Sequence, residues 1–314
     1  MSQTRTRRGA RVASGTRTRS GGAHDRPLAR VSGWAIHVPG RDALSVAPAV
    51  AHLLLGRKGL LYKEPATRLA LCAAHRALGL PPLAPRTLGP PDPGMAVVVS
   101  SNLGNVDTVV TIARTVRRAS VREVSPLAAP NASSNVIAST LAIWFRCGGP
   151  NLTVCSGATG GLDAVRLATL LLAAGRARRV LVVGVEPDDP VASALHAARG
   201  GQAARTGLRA AAAAVLLDAF DGDAGTAVSI GRVGAHRRAP LVDGHAGPLF
   251  APGALAADAI DLESELGALY GALGVVQVAA AADMVSDIPD VTATLVCGDA
   301  RDGWRSLAVG AAPR

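Results

Sequence analysis

The sequence contains few aromatic residues and few cysteines. Phe, Trp and Tyr make up 3% of the 314 residues, so aliphatic side chains must form most of the core. The four cysteines, Cys72, Cys147, Cys155 and Cys297, lie in or beside apolar segments and lack the C-x-x-C spacing of metal sites and redox motifs. This distribution predicts four reduced, buried thiols and argues against a disulfide framework. We expect no metal ion and no cofactor.

Long apolar runs are also missing. The chain has neither a stretch of about 18 apolar residues, the length that spans a bilayer, nor the apolar core of a secretory signal. Hydrophobic residues nevertheless make up 49% of the chain against 18% charged, which is ample for a large core. We therefore expect a globular, cytoplasmic protein without a membrane partner, long enough for about two domains.

Acidic residues are scarce at the start of the chain. Residues 1–30 carry eight arginines and one acid, Asp25, so most of the formal net charge of +10 lies in this segment. The segment has no apolar run, and the sequence predicts a disordered tail over 1–30. A nucleic-acid or membrane arm and a transit-like leader are alternatives, but an unstructured or wrongly assigned start is favoured. The rest of the chain is nearly balanced, and we expect no nucleic-acid partner for it.

The segment 149–165, GPNLTVCSGATGGLDAV, has the pattern of a strand, a tight turn and a helix start. The β-type run from Leu152 to Cys155 ends in small residues, and apolar positions recur at helical spacing from Leu162 onward. A residue in such an elbow lies at the positive end of a helix, beside free backbone N–H groups. Enzymes can activate a nucleophile and stabilise an oxyanion at this place.

Apolar strands alternate with helical patterns along most of the chain. Strands are predicted over 31–36, 95–100, 179–186 and 211–218, and helices over 42–55, 104–118, 132–145 and 162–175. This alternation favours a buried, mostly parallel sheet of the α/β class.

These segments resemble the β-ketoacyl synthases of the thiolase superfamily, whose elbow reads G-P-N-x-T-V-x-x-A-C-x-S-G-L-x-A. A basic loop before A-T-x-L-A-L at 57–71, an S-P-x-x-x-P motif at 125–130 and the G-x-E ending of the strand at 179–186 also match. The resemblance is strong over 31–220 and patchy over 221–314. It implies a thiolase-like α/β fold of two similar βαβ-type halves in a layered αβαβα arrangement.

The resemblance also implies the boundaries of those halves. The N-terminal half is expected over 31–205 and a shortened C-terminal half over 206–314, with the strand at 211–218 as the start of the second half.

The residue at the family's nucleophile position is Ala158. Counting four residues on from Val154 and four back from Leu162 leads to this same position. An alanine has no nucleophile, so the elbow is kept while its catalytic group is absent. Cys155 or Ser156 could take over that role, but Cys155 lies inside the predicted strand, where packing as a small hydrophobe is favoured.

Active synthases place two histidines in their second half, one in H-G-T and one in K-S-x-x-G-H-x-x-G-A-A-G. Here the second motif corresponds to 263–274, ESELGALYGALG, with Glu263 at the lysine position and Ala268 at the histidine position. The first histidine has no counterpart, because His236 and His245 lack the motif around them and are interpreted as solvated loop residues.

The family's glycine-rich loop, G-F-G-G-x-N, corresponds to residues 297–306. Only Gly303 of that loop is clearly kept, as a remnant of an oxyanion-type loop. An ordinary turn between two strands is the alternative reading of this segment.

Condensation in this family needs a thiolate that carries the acyl chain and two imidazoles that polarise the malonyl group. The chain lacks all three at the matched positions, and we therefore expect no condensing activity from it alone. It is similar to the chain-length factors of bacterial type II polyketide synthases, which replace the cysteine and carry G-x-L-Y, here Gly267 to Tyr270. The resemblance implies a role in polyketide or fatty-acid-type biosynthesis.

The same resemblance implies two partners: an active ketosynthase, bound as a heterodimer, and an acyl carrier protein. The expected dimer interface consists of the elbow strand and a residue of the helix before it, namely Asn151, Leu152, Thr153, Val154 and Asn135. Two alternatives stay open. One is an acyltransferase or decarboxylase that uses Cys155 or Ser156, and the other is a homodimeric scaffold without an acyl role.

Overall fold

A computed structural model describes residues 27–84, 89–201, 205–220, 228–242, 245, 247–288 and 290–311. The tail predicted over 1–30 lies outside the described residues as far as position 26. The strands are β1 (Ala29–His37), β2 (Met95–Ser100), β3 (Asn151–Val154), β4 (Arg179–Glu186), β5 (Ala211–Ala219), β6 (Val228–Ile230), β7 (Gly234–His236), β8 (Leu249–Phe250), β9 (Thr292–Asp299) and β10 (Gly303–Ala311). The helices are α1 (His52–Leu55), α2 (Pro65–Ala77), α3 (Val106–Arg118), α4 (Val136–Phe145), α5 (Gly160–Ala173), α6 (Pro190–Ala197), α7 (Leu262–Leu266) and α8 (Leu273–Ser286).

The strands hydrogen-bond in the order β3-β2-β4-β5-β1-β6-β10-β9-β8, with β7 pairing to β10. In the first group, β2 runs parallel to both β3 and β4, whereas β5 runs antiparallel to β4 and β1. Within the described residues, the two groups of strands join where β1 meets β6, through the pairs Ala29–Ile230 and Arg30–Ser229 and a hydrogen bond from the Leu28 N–H to the Ile230 carbonyl. This short contact connects two otherwise separate sheet halves.

The second group of strands repeats the order of the first. β8 runs parallel to β9, β9 antiparallel to β10, and β10 antiparallel to β6, as β2, β4, β5 and β1 do in the first group. The helix α8 precedes β9 as α5 precedes β4. This repetition agrees with the predicted thiolase-like α/β fold of two similar halves.

The helices form layers with the sheet. α2 and α4 pack on the outer face of the first group, where the alternate residues Val97, Val99, Leu181 and Val183 are buried. α5 and α8 pack between the two groups, against a core that includes Val98, Val182 and Leu295. β2 and β4 are buried on both faces, which explains their continuous apolar sequences.

The second half is shortened at its outer layer. The outer face of the second group, around Leu249 and Val296, is covered by apolar residues of the segment 242–259, including Leu255 and Ala259. Within the described residues, we find no counterpart in this half of β3, α2 or α4. The shortening predicted for the C-terminal half therefore corresponds to a missing outer helical layer.

The position of β5 differs from the sequence-based expectation. The strand predicted to begin the second half lies between β4 and β1, and it pairs with both along almost its whole length. We therefore propose a boundary between the two halves after β5 rather than at 205/206.

The helix predicted over 42–55 is wrong in its first part. The Asp42 carboxylate accepts hydrogen bonds from the Leu44 N–H and the Ser45 hydroxyl, which holds a turn there. Regular structure starts only with a single 3₁₀ turn at Pro48–Val50 and continues in α1.

None of the described helices combines the length and apolar character needed to cross a bilayer. The described residues also contain no cluster of three or more His, Cys, Asp or Glu side chains arranged to hold a metal ion.

Candidate functional site

The predicted elbow connects β3 to α5. The strand ends at Val154, one residue earlier than predicted, and residues 157–159 form a 3₁₀ turn before the helix begins at Gly160. Gly157 adopts a φ of +68°, in the left-handed region that favours glycine. Residue 158 is thereby placed at the N-terminal end of a 14-residue helix.

Hydrogen bonds from Asn102, which is itself held by Glu186, fix the elbow at Gly157. The Asn102 side chain accepts from the Gly157 N–H at 2.9 Å and donates to the Gly157 carbonyl at 3.1 Å. The same side chain donates to Glu186, whose carboxylate also accepts from the backbone N–H groups of Asn102 and Leu103 at 2.8 and 2.9 Å. Glu186 is fully buried, and this burial raises its pKa from 4.5 to about 7 despite the hydrogen bonds.

Asp163, in the first turn of α5, fixes the elbow at Ser156 and Thr159. Its carboxylate accepts from the hydroxyls of Ser156 and Thr159, each at 2.7 Å. The Arg305 guanidinium of β10 pairs with the same carboxylate at 2.6 Å. The elbow is thus tied to both sheet halves.

Ala158 occupies the predicted nucleophile position, and its backbone N–H is already hydrogen-bonded. The acceptor is the Asp302 carboxylate, at 2.8 Å, from the turn between β9 and β10. The Arg199 guanidinium donates to the same oxygen at 2.7 Å and to Asp299 at 2.7 Å. A carboxylate therefore lies at the position that the sequence analysis assigns to an oxyanion.

Tyr270 extends this cluster. Its hydroxyl is 2.8 Å from the Arg199 guanidinium, which also lies 4.6 Å from the centre of the tyrosine ring. The His196 ring packs edge-on against the same tyrosine, and burial lowers the pKa of that histidine. Tyr270 has a φ of +46°, an uncommon conformation for a residue other than glycine.

A cavity of about 520 Å³ adjoins the elbow. Its lining includes Ala158, Ala268, Tyr270, Trp304 and Glu263. The Glu263 carboxylate accepts hydrogen bonds from the backbone N–H groups of Leu269 and Tyr270 at 2.6 and 3.1 Å. It is therefore committed to the backbone. Burial raises the pKa of Glu263. The sequence-predicted counterparts of the nucleophile, the second histidine and the lysine are thus brought together around one cavity.

The cysteine prediction is correct for three of the four thiols. Cys72, Cys147 and Cys297 are buried, and burial raises the pKa of each thiol to about 12. Cys155, however, is exposed, and it follows an edge strand whose own residues are exposed or half-buried. Its sulfur donates to the Ser101 carbonyl at 3.1 Å, and desolvation of the sulfur together with the Glu186 carboxylate raises the pKa of the thiol.

The two histidines that the sequence analysis considered, His236 and His245, are not among the described residues that line that cavity. His236 belongs to β7 and pairs with the Ser306 hydroxyl at 2.8 Å, so its assignment to a solvated loop was wrong. His245 hydrogen-bonds to the Gly247 carbonyl at 2.7 Å and lies 3.4 Å from the exposed Asp258 carboxylate.

The residues of the expected interface lie at one edge of the sheet. Within the described residues, β3 pairs only with β2, and the Leu152 side chain is exposed. The Asn135 side chain donates to Asn151 at 2.8 Å and accepts from the Thr153 hydroxyl at 2.7 Å. Asn135 therefore attaches the start of α4 to this edge strand.

Gly303 opens β10 with a φ of +78°. The turn before it is held by the Asp299 carboxylate, which accepts from the backbone N–H groups of Arg301 and Asp302. Sequence reasoning missed Asn102, Arg199 and Asp302 as site residues. Arg199 and Asp302 are more than 100 residues apart and carry no motif, whereas Asn102 lies two residues after a predicted strand end, where loop residues often carry function.

The chain matches the family described as β-ketoacyl synthase, N-terminal domain, over residues 57–222. Among solved structures, it is similar to a chain of the ishigamide ketosynthase/chain length factor, with 22% identity and a TM-score of 0.70 over 91% of this chain and 99% of that chain. It is also similar to a chain of AntDE:AntF, a type II polyketide synthase acyl-carrier protein in complex with its ketosynthase, with 13% identity and a TM-score of 0.62 over 92% and 100% of the two chains.

A β-ketoacyl synthase from Burkholderia phymatum gives 14% identity and a TM-score of 0.63 over 93% of both chains. No curated protein matches the sequence significantly. These structural similarities support the fold, and the family match covers more than half of the sequence. The chain belongs to the β-ketoacyl synthase family.

Proposed function

We propose that the protein is a non-catalytic, ketosynthase-like subunit of the chain-length-factor type, which pairs with an active β-ketoacyl synthase in polyketide or fatty-acid-type biosynthesis. The observation that carries this proposal is the alanine at the elbow. The Ala158 methyl group lies at the N-terminal end of α5, beside a cavity, in a fold whose catalysts need a thiolate there.

The other positions around the cavity support the same proposal. Ala268 replaces the imidazole expected of an active synthase, and the Glu263 carboxylate is committed to two backbone N–H groups. Among the described residues that line this cavity, His196 is the single imidazole, and it packs against Tyr270. These groups can neither carry an acyl chain nor polarise a malonyl carbonyl by the mechanism of the family.

The free edge of β3 supports pairing with a second subunit. An edge strand exposes a row of backbone N–H and C=O groups, which a strand of another chain can pair. Leu152 on β3 and Ile143 on α4 add exposed apolar surface, with 37% and 71% of each residue accessible. The similar structures include a ketosynthase/chain length factor and a ketosynthase with its acyl-carrier protein, which supports a ketosynthase and a carrier protein as the kinds of partner.

Co-expression with an intact ketosynthase from the same genome, followed by size-exclusion chromatography, tests the proposal. We expect a single heterodimer peak, condensing activity in the complex, and none in this chain alone. Two separately eluting proteins, or malonyl condensation by this purified chain, would refute the proposal. A stable homodimer that binds neither ketosynthase nor carrier protein would instead support a scaffold.

The exposure of Cys155 favours one further test, for an acyltransferase or decarboxylase with a displaced nucleophile. Intact-protein mass spectrometry after incubation with acyl carrier protein thioesters measures any covalent adduct. We expect none, because the raised pKa of the Cys155 thiol leaves little thiolate and the Ser156 hydroxyl donates to Asp163. An adduct that disappears in Cys155→Ala or Ser156→Ala would show that the displaced nucleophile is used.

A further inference from the structure

We infer that Asp302 closes the oxyanion position of the elbow, so that the chain is catalytically silent for a second reason, independent of the missing cysteine. The inference deepens the proposed function and rests on it in one respect: both take the elbow as the place where a catalyst of this fold would bind its acyl group. It predicts that restoring a thiol at position 158 does not by itself restore acylation.

The closing group is an internal carboxylate. Asp302 Oδ2 accepts from the Ala158 N–H at 2.8 Å, which is a well-formed hydrogen bond to a charged acceptor. A Cβ atom at Gly157 would collide with the same carboxylate, so the Asp302 side chain lies directly against the elbow backbone. A thioester carbonyl oxygen that needs this N–H would have to displace Asp302.

Arg199 and Asp299 hold the carboxylate in place. Arg199 donates to Asp302 and to Asp299, both at 2.7 Å, and the side chains of Arg199 and Asp302 are only 14% and 17% exposed. Asp299 also accepts from the Asp302 backbone N–H at 2.7 Å, which fixes the turn that carries Asp302. Partial burial makes such charge pairs stronger than pairs on the surface.

The charge of Asp302 opposes two steps of acyl transfer. In the first step, a thiolate at position 158 would form beside a carboxylate, and like charges disfavour the ionised form and raise the pKa of the thiol. In the second, the thiolate attacks the carbonyl carbon of a thioester, and negative charge develops on the carbonyl oxygen. An enzyme stabilises that charge with free N–H donors, whereas here the donor is occupied by another anion.

All variants of the full chain carry Cys155→Ser, so that the exposed native thiol does not react, and Ala158→Cys. The first variant has no other change, and the other three add Asp302→Ala, Asp302→Asn or Asp299→Asn. The probe is an acyl N-acetylcysteamine thioester. A new sulfur–acyl bond forms at position 158, the thioester bond breaks, and N-acetylcysteamine leaves as a thiol with the proton. Intact-protein mass spectrometry measures the rate of acylation.

We expect Asp302→Ala to raise the rate of acylation at least about tenfold over Ala158→Cys alone, since one oxyanion donor is worth about a hundredfold or more in enzymes. Asp302→Asn removes the charge but keeps an acceptor, so its gain in the acylation rate should be smaller than that of Asp302→Ala. It should also lower the pKa of the introduced thiol, which is measured from the pH dependence of alkylation. Asp299→Asn is the matched control: it removes the second carboxylate that pairs with Arg199, keeps a carbonyl oxygen that can accept from the Asp302 N–H, and leaves Asp302 as the acceptor of the Ala158 N–H.

Equal acylation rates with and without Asp302→Ala would overturn the inference. If the Asp302→Ala variant does not fold, as judged by circular dichroism, an unchanged thiol pKa in the Asp302→Asn variant would overturn it instead. Neither result bears on the proposed function, which concerns the chain with alanine at position 158. The proposed function fails only if the unmodified protein condenses malonyl and acyl units, so the two failures are distinguishable.

Discussion

At the scale of single residues, the pairing of Arg305 with Asp163 is the contact that we expect to matter most for stability. The two side chains are 20% and 14% exposed, and Asp163 also accepts two hydroxyl hydrogen bonds. Arg305→Met should lower the free energy of unfolding by about 3 kcal/mol, because it leaves a mostly buried carboxylate without its cation. Urea denaturation followed by circular dichroism measures the change.

A matched control for that substitution is Arg178→Met. Arg178 pairs with Asp92 at 3.0 Å, but 75% and 49% of these side chains are exposed, so water screens the pair. We expect its loss to change the free energy of unfolding by less than about 1 kcal/mol. Equal costs for the two substitutions would contradict the role assigned to Arg305.

Glu186 should make stability depend on pH in a defined direction. Its pKa is about 7 in the folded protein and 4.5 as the ordinary value, so between these values only the unfolded chain releases the proton. Stability contributed by the protonated carboxyl is therefore complete below about pH 4.5 and is lost as the pH rises towards 7. The amide of Glu186→Gln does not titrate in either state.

The measurement compares wild type and Glu186→Gln by urea denaturation at pH 5, 6, 7 and 8. The advantage of wild type over the variant should shrink by roughly 1–3 kcal/mol between pH 5 and 7 and change only slightly more between pH 7 and 8, since one unit of pKa corresponds to about 1.4 kcal/mol. A difference that is the same at every pH would show that Glu186 does not titrate in this range.

Site residues could be predicted from the sequence where they belong to one short motif, but not where they meet only in the folded chain. Ala158, Glu263 and Ala268 follow from spacing within short motifs, and the structure places all three at the same cavity. Arg199 and Asp302 meet only because β10, α6 and the elbow are brought together by the fold, and no sequence spacing encodes that meeting. Cys155 was predicted to be buried in an apolar strand, whereas β3 lies at the edge of the sheet and its residues are exposed or half-buried.

At the scale of elements, the packing of α5 against α8 depends on two glycines. A Cβ atom at Gly161 would lie 2.7 Å from the Cα atom of Gly274, so the helices approach through their backbones. Gly161→Ala should destabilise the protein by about 1–2 kcal/mol, because overpacking against a backbone exceeds the gain of up to about 1 kcal/mol in helix propensity.

Gly231→Ala is the control for this prediction, since a Cβ atom there meets no atom within 4 Å. We expect little change in the melting temperature of this variant and a fall of several degrees for Gly161→Ala. An unchanged or raised melting temperature for Gly161→Ala would mean that the two helices move apart easily.

Elements with a continuous apolar sequence were predicted well. β2 and β4 begin and end at the predicted residues, because burial on both faces demands an unbroken apolar run. The predicted helix over 42–55 failed because a side chain competes with the helix for backbone N–H groups: the Asp42 carboxylate stabilises a turn instead. Such competition depends on local geometry, which apolar periodicity does not report.

At the scale of the whole molecule, sequence alternation predicted the α/β class but not the strand order. The strand β5 pairs with both β4 and β1, and this pairing, which supports the proposed boundary after β5, is not encoded in the alternation of strands and helices. Within the part of the chain that the structure describes, the second half has no outer helical layer, and the sequence indicated this only as a short interval between motifs. Its physical consequence is that loop residues such as Leu255, rather than a helix, cover that face of the sheet.

We expect this chain to assemble with a ketosynthase through the edge of β3. Ile143→Arg and Leu152→Arg each place a charge on the proposed interface, where a buried, unpaired cation is costly. Each substitution should raise the dissociation constant of the complex at least about tenfold, which is a loss of about 1.4 kcal/mol of binding free energy. Analytical ultracentrifugation measures this change. Leu241→Arg is the control, because Leu241 is 94% exposed on the connection between β7 and β8. If that control weakens the complex as much as the two interface variants, or if neither interface variant has an effect, the partner binds elsewhere.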